Sequence, residues 1–217
     1  MIGLSLGDKP LDVLCLGAHP DDVEIGCGGT LLRLGERSDV RATGVVLTGS
    51  GERADEAAVS LDRFFPGAKV ETAGLPDGRL PEHWGQAKQA LEDVATRCQP
   101  DVVFAPRVDD AHQDHRLVGT LASTVWRDAL ILHYEIPKWD GDLGAPTHFV
   151  PLTDEQARRK VALLNDCFPT QAGRDWWDDE LFLGLMRIRG VECRETHAEG
   201  FFSSKVVLDV TGPGSAR

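Results

Sequence analysis

The run Ala18-His19-Pro20-Asp21-Asp22-Val23-Glu24 puts an imidazole and three carboxylates directly after an apolar stretch and before a glycine-rich one. Such a set offers nitrogen and oxygen ligands to a metal and leaves a carboxylate over to act as a base. A catalytic zinc takes three protein ligands and keeps one position open for water. His19 and Asp22 can supply two, and the third is expected from the one comparable cluster, His112-Gln113-Asp114-His115. Adjacent residues do not reach one centre with equal ease, so one of Asp21 and Asp22 should ligate while its neighbour activates a water as general base. One of His112 and His115 should likewise bind the metal. The other would stabilise an oxyanion or protonate a leaving amine, with Asp114 orienting its ring. Each cluster has a plainer reading, with Asp21, Asp22 or Asp114 as helix N-caps and the histidines as structural residues. Two clusters in equivalent positions favour the chemical one.

Those positions follow from the pattern of elements. Apolar β-type runs at Leu11 to Ala18, Val40 to Thr48, Lys69 to Leu75, Asp101 to Pro106 and Ala129 to Ile136 alternate with helical stretches. The helices are expected at Gly26 to Glu36, Ala54 to Phe65, Gln86 to Cys98 and Asp114 to Arg127. This alternation predicts an α/β fold, a mostly parallel sheet with helices on both faces. The first cluster then follows strand one and the second follows strand four, at the carboxyl edge where such sheets carry their sites. Beyond Asp140 a Gly/Pro-rich connection leads to helices at Asp154 to Asn165 and Glu180 to Ile188 and a late β-run from Ser203 to Val210. Residues 1–210 read as a single domain and the small, polar 211–217 as a flexible tail.

Composition excludes several classes of function. The chain has 217 residues with 41% hydrophobic and 27% charged content, ordinary for a globular protein, and no apolar run long enough to span a bilayer. Asp8, Lys9, Pro10 and Asp12 interrupt any secretory leader pattern, so a cytoplasmic location is expected. A formal net charge of −12 opposes nucleic acid and suits a small neutral or cationic substrate. Cys15, Cys27, Cys98, Cys167 and Cys193 are odd in number and lack a Cys-x-x-Cys pair, which points to reduced thiols rather than disulfides or a thiolate zinc site.

On His19-Pro20-Asp21-Asp22 with Glu24 and Gly28-Gly29-Thr30-Leu31, and on His112-Gln113-Asp114-His115, the chain resembles the LmbE-like, or PIG-L, zinc-dependent N-acetylglucosaminyl deacetylases. Its Asp-Asp-x-Glu-Ile-Gly form is that of the bacillithiol-type branch. Thr48 to Glu52, Arg53 with Glu56, and Leu75-Pro76-Asp77-Gly78 extend the likeness over Leu11 to Glu135. The resemblance implies a Rossmann-like fold and one Zn2+ per chain held by His19, Asp22 and His115. It further implies Asp21 as base, His112 as stabiliser of the tetrahedral intermediate or acid, and Asp114 as the partner of His112. Arg53 is expected to bind substrate. The implied reaction removes the N-acetyl group of a small N-acetylglucosamine-containing metabolite, giving acetate and a free amine. A thiol-conjugate amidase and a non-catalytic metal-containing binding module are the alternatives, and homo-oligomers are compatible with either. A His-Asp-His site with open positions also suits ferrous iron, cobalt or nickel.

The remaining candidates carry less. Tyr134 suits a core position with its hydroxyl bonded as well as a site position. Trp139, Trp176 and Trp177 could stack on sugar rings or fill core. His83, His133, His148 and His197 have no partner spacing and read as structural. Gly26 to Gly29 lacks the spacing of a nucleotide loop.

Overall fold

Along β1 (Leu11–Gly17), Val13 and Cys15 face one layer of the core while Leu14 and Leu16 face the other, and all four are buried. A strand buried on both faces needs helices on both, which is why it reads as a continuous apolar run. The computed structural model describes residues 2–208. After β1 come α1 (Asp22–Leu34), β2 (Val40–Thr48), α2 (Glu52–Phe64), β3 (Lys69–Leu75), α3 (Trp84–Ala95), β4 (Val102–Pro106), α4 (Gln113–Val125) and β5 (Leu130–Tyr134). They are followed by β6 (His148–Leu152), α5 (Asp154–Cys167), α6 (Asp179–Cys193) and β7 (His197–Phe202).

These strands form one seven-stranded sheet in the order β3-β2-β1-β4-β5-β7-β6. Strands β1 to β5 are mutually parallel, while β7 runs antiparallel to both β5 and β6. The chain leaves β1 toward β2 and β3, then returns to place β4 on the other side of β1. The carboxyl ends of β1 and β4 therefore flank the switch point of the sheet, the usual position of a ligand crevice. Both clusters singled out in the sequence leave the sheet there. Among the described residues no helix is long and apolar enough to cross a membrane, and all five cysteines are unpaired.

Two expectations need correction. The helix after β1 begins at Asp22 rather than Gly26, so the second aspartate is already helical. The late β-run expected over Ser203 to Val210 lies earlier, as β7, and pairs with an unexpected strand, β6. Residues 203–208 are not strand, and Val206, Val207 and Leu208 are exposed. Glu199 and Gly200 hide β7 from an apolar pattern, because Glu199 faces inward and is buried against Lys160. Pro151 hides β6, and a proline is tolerated there because the strand lies at the sheet edge. Residues 209–210 and the tail expected at 211–217 lie outside the described residues.

Gly26, Gly28 and Gly29 owe their presence to packing. A Cβ on Gly26 would stand 2.1 Å from Tyr134 Cδ2, one on Gly28 2.7 Å from Phe64 Cε1, and one on Gly29 2.4 Å from Leu152 Cδ1. The glycines let α1 lie close on the sheet and on α2. Tyr134 is a core residue: it is fully buried and its hydroxyl donates to Leu16 O at 2.6 Å. Gly26→Ala should therefore cost about 1–3 kcal/mol or more through overpacking. Gly184→Ala, in α6 with no neighbour within 4 Å of its Cβ position, should instead stabilise. The gain is set by helix propensity at about 0.5–1 kcal/mol. Urea midpoints of the two variants test the contrast, and equal shifts would contradict it.

Candidate active site

The loop between β1 and α1 is held from both sides. Ala18 O accepts from Thr48 N at 2.9 Å and Thr48 Oγ1 at 2.7 Å, tying it to the end of β2. Asp22 Oδ2 accepts from Ala18 N and His19 N, both at 2.8 Å. Asp22 thus folds the loop back on itself and caps nothing in the helix that follows. Asp21 takes φ 138°, a conformation that L-residues rarely adopt. Strain of this kind costs about 1–3 kcal/mol and persists only where surrounding contacts over-determine it. Here it sends the two neighbouring carboxylates to different partners.

Asp22 turns to the histidines. His19 Nδ1 lies 3.1 Å from His115 Nε2, Asp22 Oδ1 lies 3.3 Å from His115 Nε2, and Asp22 Oδ2 lies 3.5 Å from His19 Nδ1. Ligands at 2.0–2.1 Å around a tetrahedral zinc stand about 3.3 Å from one another. The two histidine nitrogens stand near that separation and Asp22 offers an oxygen to each, so the three groups could hold one divalent cation. His112 also offers a ring nitrogen within 4.8 Å of those of His19 and His115. Asp22 approaches both histidines, with a different oxygen toward each, and His112 stands beside the same pair.

The other face of each histidine is also occupied. His19 Nε2 lies 3.3 Å from Asp114 Oδ2 and 3.2 Å from Asp77 Oδ1. His115 Nδ1 lies 3.1 Å from Asp110 Oδ1, a close approach too poorly aligned to count as a hydrogen bond. Carboxylates behind ligating imidazoles fix their tautomer and orientation. Asp110 also accepts from His112 N at 2.8 Å and lies 3.0 Å from Lys138 Nζ, itself 2.8 Å from Asp142. Sequence reasoning missed Asp110, Lys138 and the direct approach of Asp77. The only available signal was the spacing Asp110-x-His112-x-x-His115.

Asp114 differs from expectation. Its carboxylate lies 3.3 Å from His19 Nε2 and accepts from Gly78 N at 2.8 Å and Leu80 N at 3.1 Å, so it orients His19 and the loop after β3 rather than His112. Its backbone N–H, not its side chain, reaches His112, whose Nδ1 accepts at 3.2 Å and caps α4. That bond assigns the neutral His112 proton to Nε2. Arg53, expected to bind substrate, lies against the β1–α1 loop. Its guanidinium donates to Pro20 O at 2.6 Å and Asp21 Oδ2 at 3.0 Å, which makes it a clamp on Asp21. Of the aromatics, Trp139 is exposed, whereas Trp176 and Trp177 are half-buried against the core. His83, His133, His148 and His197 each have a nearby partner away from the site.

The electrostatics separate the two aspartates. Burial pushes Asp21 up to about 7, against the pull of Arg53, with the negative charge of Asp22 adding to the rise. Burial would raise Asp22 as well, but His115 and His19 hold it well below the carboxylate range. For His115, burial lowers the pKa while Asp22 and Asp110 outweigh it, raising it to about 9. His19 behaves alike: burial opposes, but Asp22, Asp114 and Asp77 raise it well above the usual value. His112 moves down, through burial and the neighbouring His115 and His19. Glu24 is a separate buried acid, pushed up to about 7 by burial and bonded to Ser60 Oγ at 2.5 Å on α2.

Comparison with known proteins gives the site its context. The family described as "PIG-L: GlcNAc-PI de-N-acetylase" matches residues 14–126. The uncharacterized deacetylase YaiS of Escherichia coli (strain K12) is 32% identical over 174 residues, covering 74% of this chain and 92% of that protein. The conserved protein TT1542 of Thermus thermophilus superposes with a TM-score of 0.73 at 26% identity, over 93% of this chain and 98% of its own. The N,N'-diacetylchitobiose deacetylase of Pyrococcus horikoshii shares the fold at a TM-score of 0.68 and 23% identity, over 88% of this chain and 83% of its own.

Asp22 and the carboxylates behind the rings raise both His19 and His115, so a cation at the pair competes with a proton. Affinity for Zn2+ should rise by about tenfold per pH unit for each proton released. The rise should continue above neutral pH, toward the His115 value of about 9. Calorimetric titration in buffers of different protonation enthalpy reads the proton release, and a pH-independent affinity would contradict the raised histidine values.

Proposed function

The chain belongs to the PIG-L family, and from that premise we propose that it hydrolyses the N-acetyl group of a small N-acetylglucosamine-containing metabolite. The products are acetate and a free amine, and one Zn2+ per chain is held by His19, Asp22 and His115. The observation that carries this reading is the pairing of a three-ligand set with a second buried carboxylate, Asp21, beside it. A zinc ion bound there would supply Lewis acidity, lowering the pKa of a water and polarising the acyl oxygen.

The chain's own residues do the rest. Asp21, buried and poised near neutrality, takes the proton of the attacking water. A carbon–oxygen bond forms at the acyl carbon, and His112 donates from Nε2 to the oxyanion. Its depressed pKa and its Nδ1 bond to Asp114 N keep it neutral, which suits a hydrogen-bond donor better than a proton source. The protonated Asp21 then delivers its proton to the departing nitrogen as the carbon–nitrogen bond breaks. Arg53 holds Asp21 in place, and the exposed Asp77, 3.2 Å from His19 Nε2, would accept from a sugar hydroxyl.

Asp21→Ala and His112→Ala should each lower kcat by about 10²–10⁴-fold, the usual worth of a general base or an oxyanion donor. Both should retain zinc, whereas His115→Ala should lose it. Amine release from a panel of N-acetylglucosamine derivatives, set against the same sugars with bulkier acyl groups and paired with metal analysis, tests this. Normal turnover by Asp21→Ala would remove the base.

Asp21 must be ionised to act, so activity should fall as pH drops through its apparent pKa, near or below about 7. Arg53 lowers that value, so Arg53→Gln should move the acid limb of kcat/KM to higher pH. An unmoved limb would show that Arg53 does not govern Asp21.

A further inference from the structure

Helix α1 is broken. Cys27 takes φ −140° and ψ 18°, outside helical space, although it is neither glycine nor proline. In an unbroken helix Gly29 N would donate to Ile25 O and Thr30 N to Gly26 O. Instead Gly29 N donates to Glu199 Oε1 at 2.8 Å, and Thr30 N and Thr30 Oγ1 each donate to Glu199 Oε2 at 2.6 Å. Lys160 Nζ donates to Ile25 O at 2.6 Å and to Glu199 Oε1 at 2.6 Å. An ion pair from α5 and β7 therefore stands inside the hydrogen-bond ladder of α1. It supplies an acceptor to the downstream half and a donor to the upstream half.

Both side chains are almost fully buried, Lys160 at 3% and Glu199 at 4% exposure. Gly29 makes room for them, since a Cβ there would stand 3.0 Å from Glu199 Oε1. Burying two charges to mend a helix is costly when a straight helix needs neither, and sharp breaks have identifiable causes such as an inserted side chain. The upstream half is the segment that carries Asp22 toward His19 and His115 and sets Asp21 beside them.

We infer that Lys160 and Glu199 are positioning residues for the metal site: by splicing the break in α1 they set the direction of the short upstream segment, and so the place of Asp22. This rests on the metal-site reading above and extends it to residues outside the segment that matches the family. Neither residue touches the reacting atoms.

The test is metal binding, read without substrate. Co2+ absorption and Zn2+ affinity by chelator competition are compared for the full chain, Glu199→Gln, and the volume-conserving double variant Lys160→Met/Glu199→Met, which lets α1 reform its own bonds. The folded variants should bind metal at least about tenfold more weakly, the usual effect of losing outer support, with an altered Co2+ spectrum. Wild-type affinity and spectrum in a folded variant would overturn the inference. A merely structural role would lower the melting temperature and leave both unchanged. Should neither variant fold, amide exchange in the unmodified protein decides: by reciprocity, Zn2+ must slow exchange at Gly29 and Thr30. Exchange there that ignores metal while Ala18 and His19 respond would equally overturn it. An unmodified protein that binds no divalent cation would instead remove the metal site itself, an outcome distinct from variants that bind as well as wild type.

Discussion

The Asp22 carboxylate is where the constraints on this molecule converge. It is buried at the switch point of the sheet, closes the loop after β1 through Ala18 N and His19 N, and faces histidines from both clusters. A buried carboxylate without such partners would neutralise. Here two imidazoles hold it ionised, and it raises both of them in turn. The result is a cluster whose charges are satisfied by one another or, in the function proposed, by a cation. The ends of β1 and β4 and the starts of α1 and α4 have to meet for it to exist, so the strand order of the sheet is its precondition.

Beside it, Asp21 shows how one dipeptide can serve two purposes. The positive φ at Asp21 turns neighbouring side chains apart, so that one carboxylate sits among histidines and the other against a guanidinium in a desolvated niche. Environments that push two acids in opposite directions separate a ligand from a base. The local strain is held by Arg53 on Pro20 O and by the Ile25 N bond to Asp21 O at 2.9 Å. The Arg53 clamp therefore belongs to the same constraint as the acid it pairs with.

What was legible in the sequence was local. The clusters His19-Pro20-Asp21-Asp22 and His112-Gln113-Asp114-His115 stand out because ligand types at close spacing follow apolar runs, and β1 to β5 stand out because strands buried on both faces are nearly continuous in apolar residues. What was hidden was charge buried by distant charge. Asp110 and Lys138 look like ordinary surface residues in sequence, and only the fold brings Lys138 to Asp110, twenty-eight residues away. Glu199 breaks the apolar pattern of β7 for the same reason. The glycines of α1 were visible, yet their purpose was not, since it depends on where Tyr134, Phe64 and Leu152 fall.

The less readable region beyond Asp140 stands behind both arms of the proposed site. Arg189 of α6 grips Glu135 with two nitrogens, at 2.6 Å and 2.8 Å, fixing the chain just past β5 that leads to Lys138 and thence to Asp110 behind His115. Lys160 and Glu199 do the corresponding work at α1, behind Asp22. Stability alone gives little reason for such pairs, because well-packed apolar side chains of similar volume often do as well or better. Their directional bonds are another matter: an apolar contact tolerates sliding, whereas a bidentate guanidinium or a carboxylate bridging two backbone amides does not. Two ligand arms from opposite sides of a switch point must agree to within a fraction of an ångström to share one ion. Buried ion pairs behind each arm are a physical means of holding them to it.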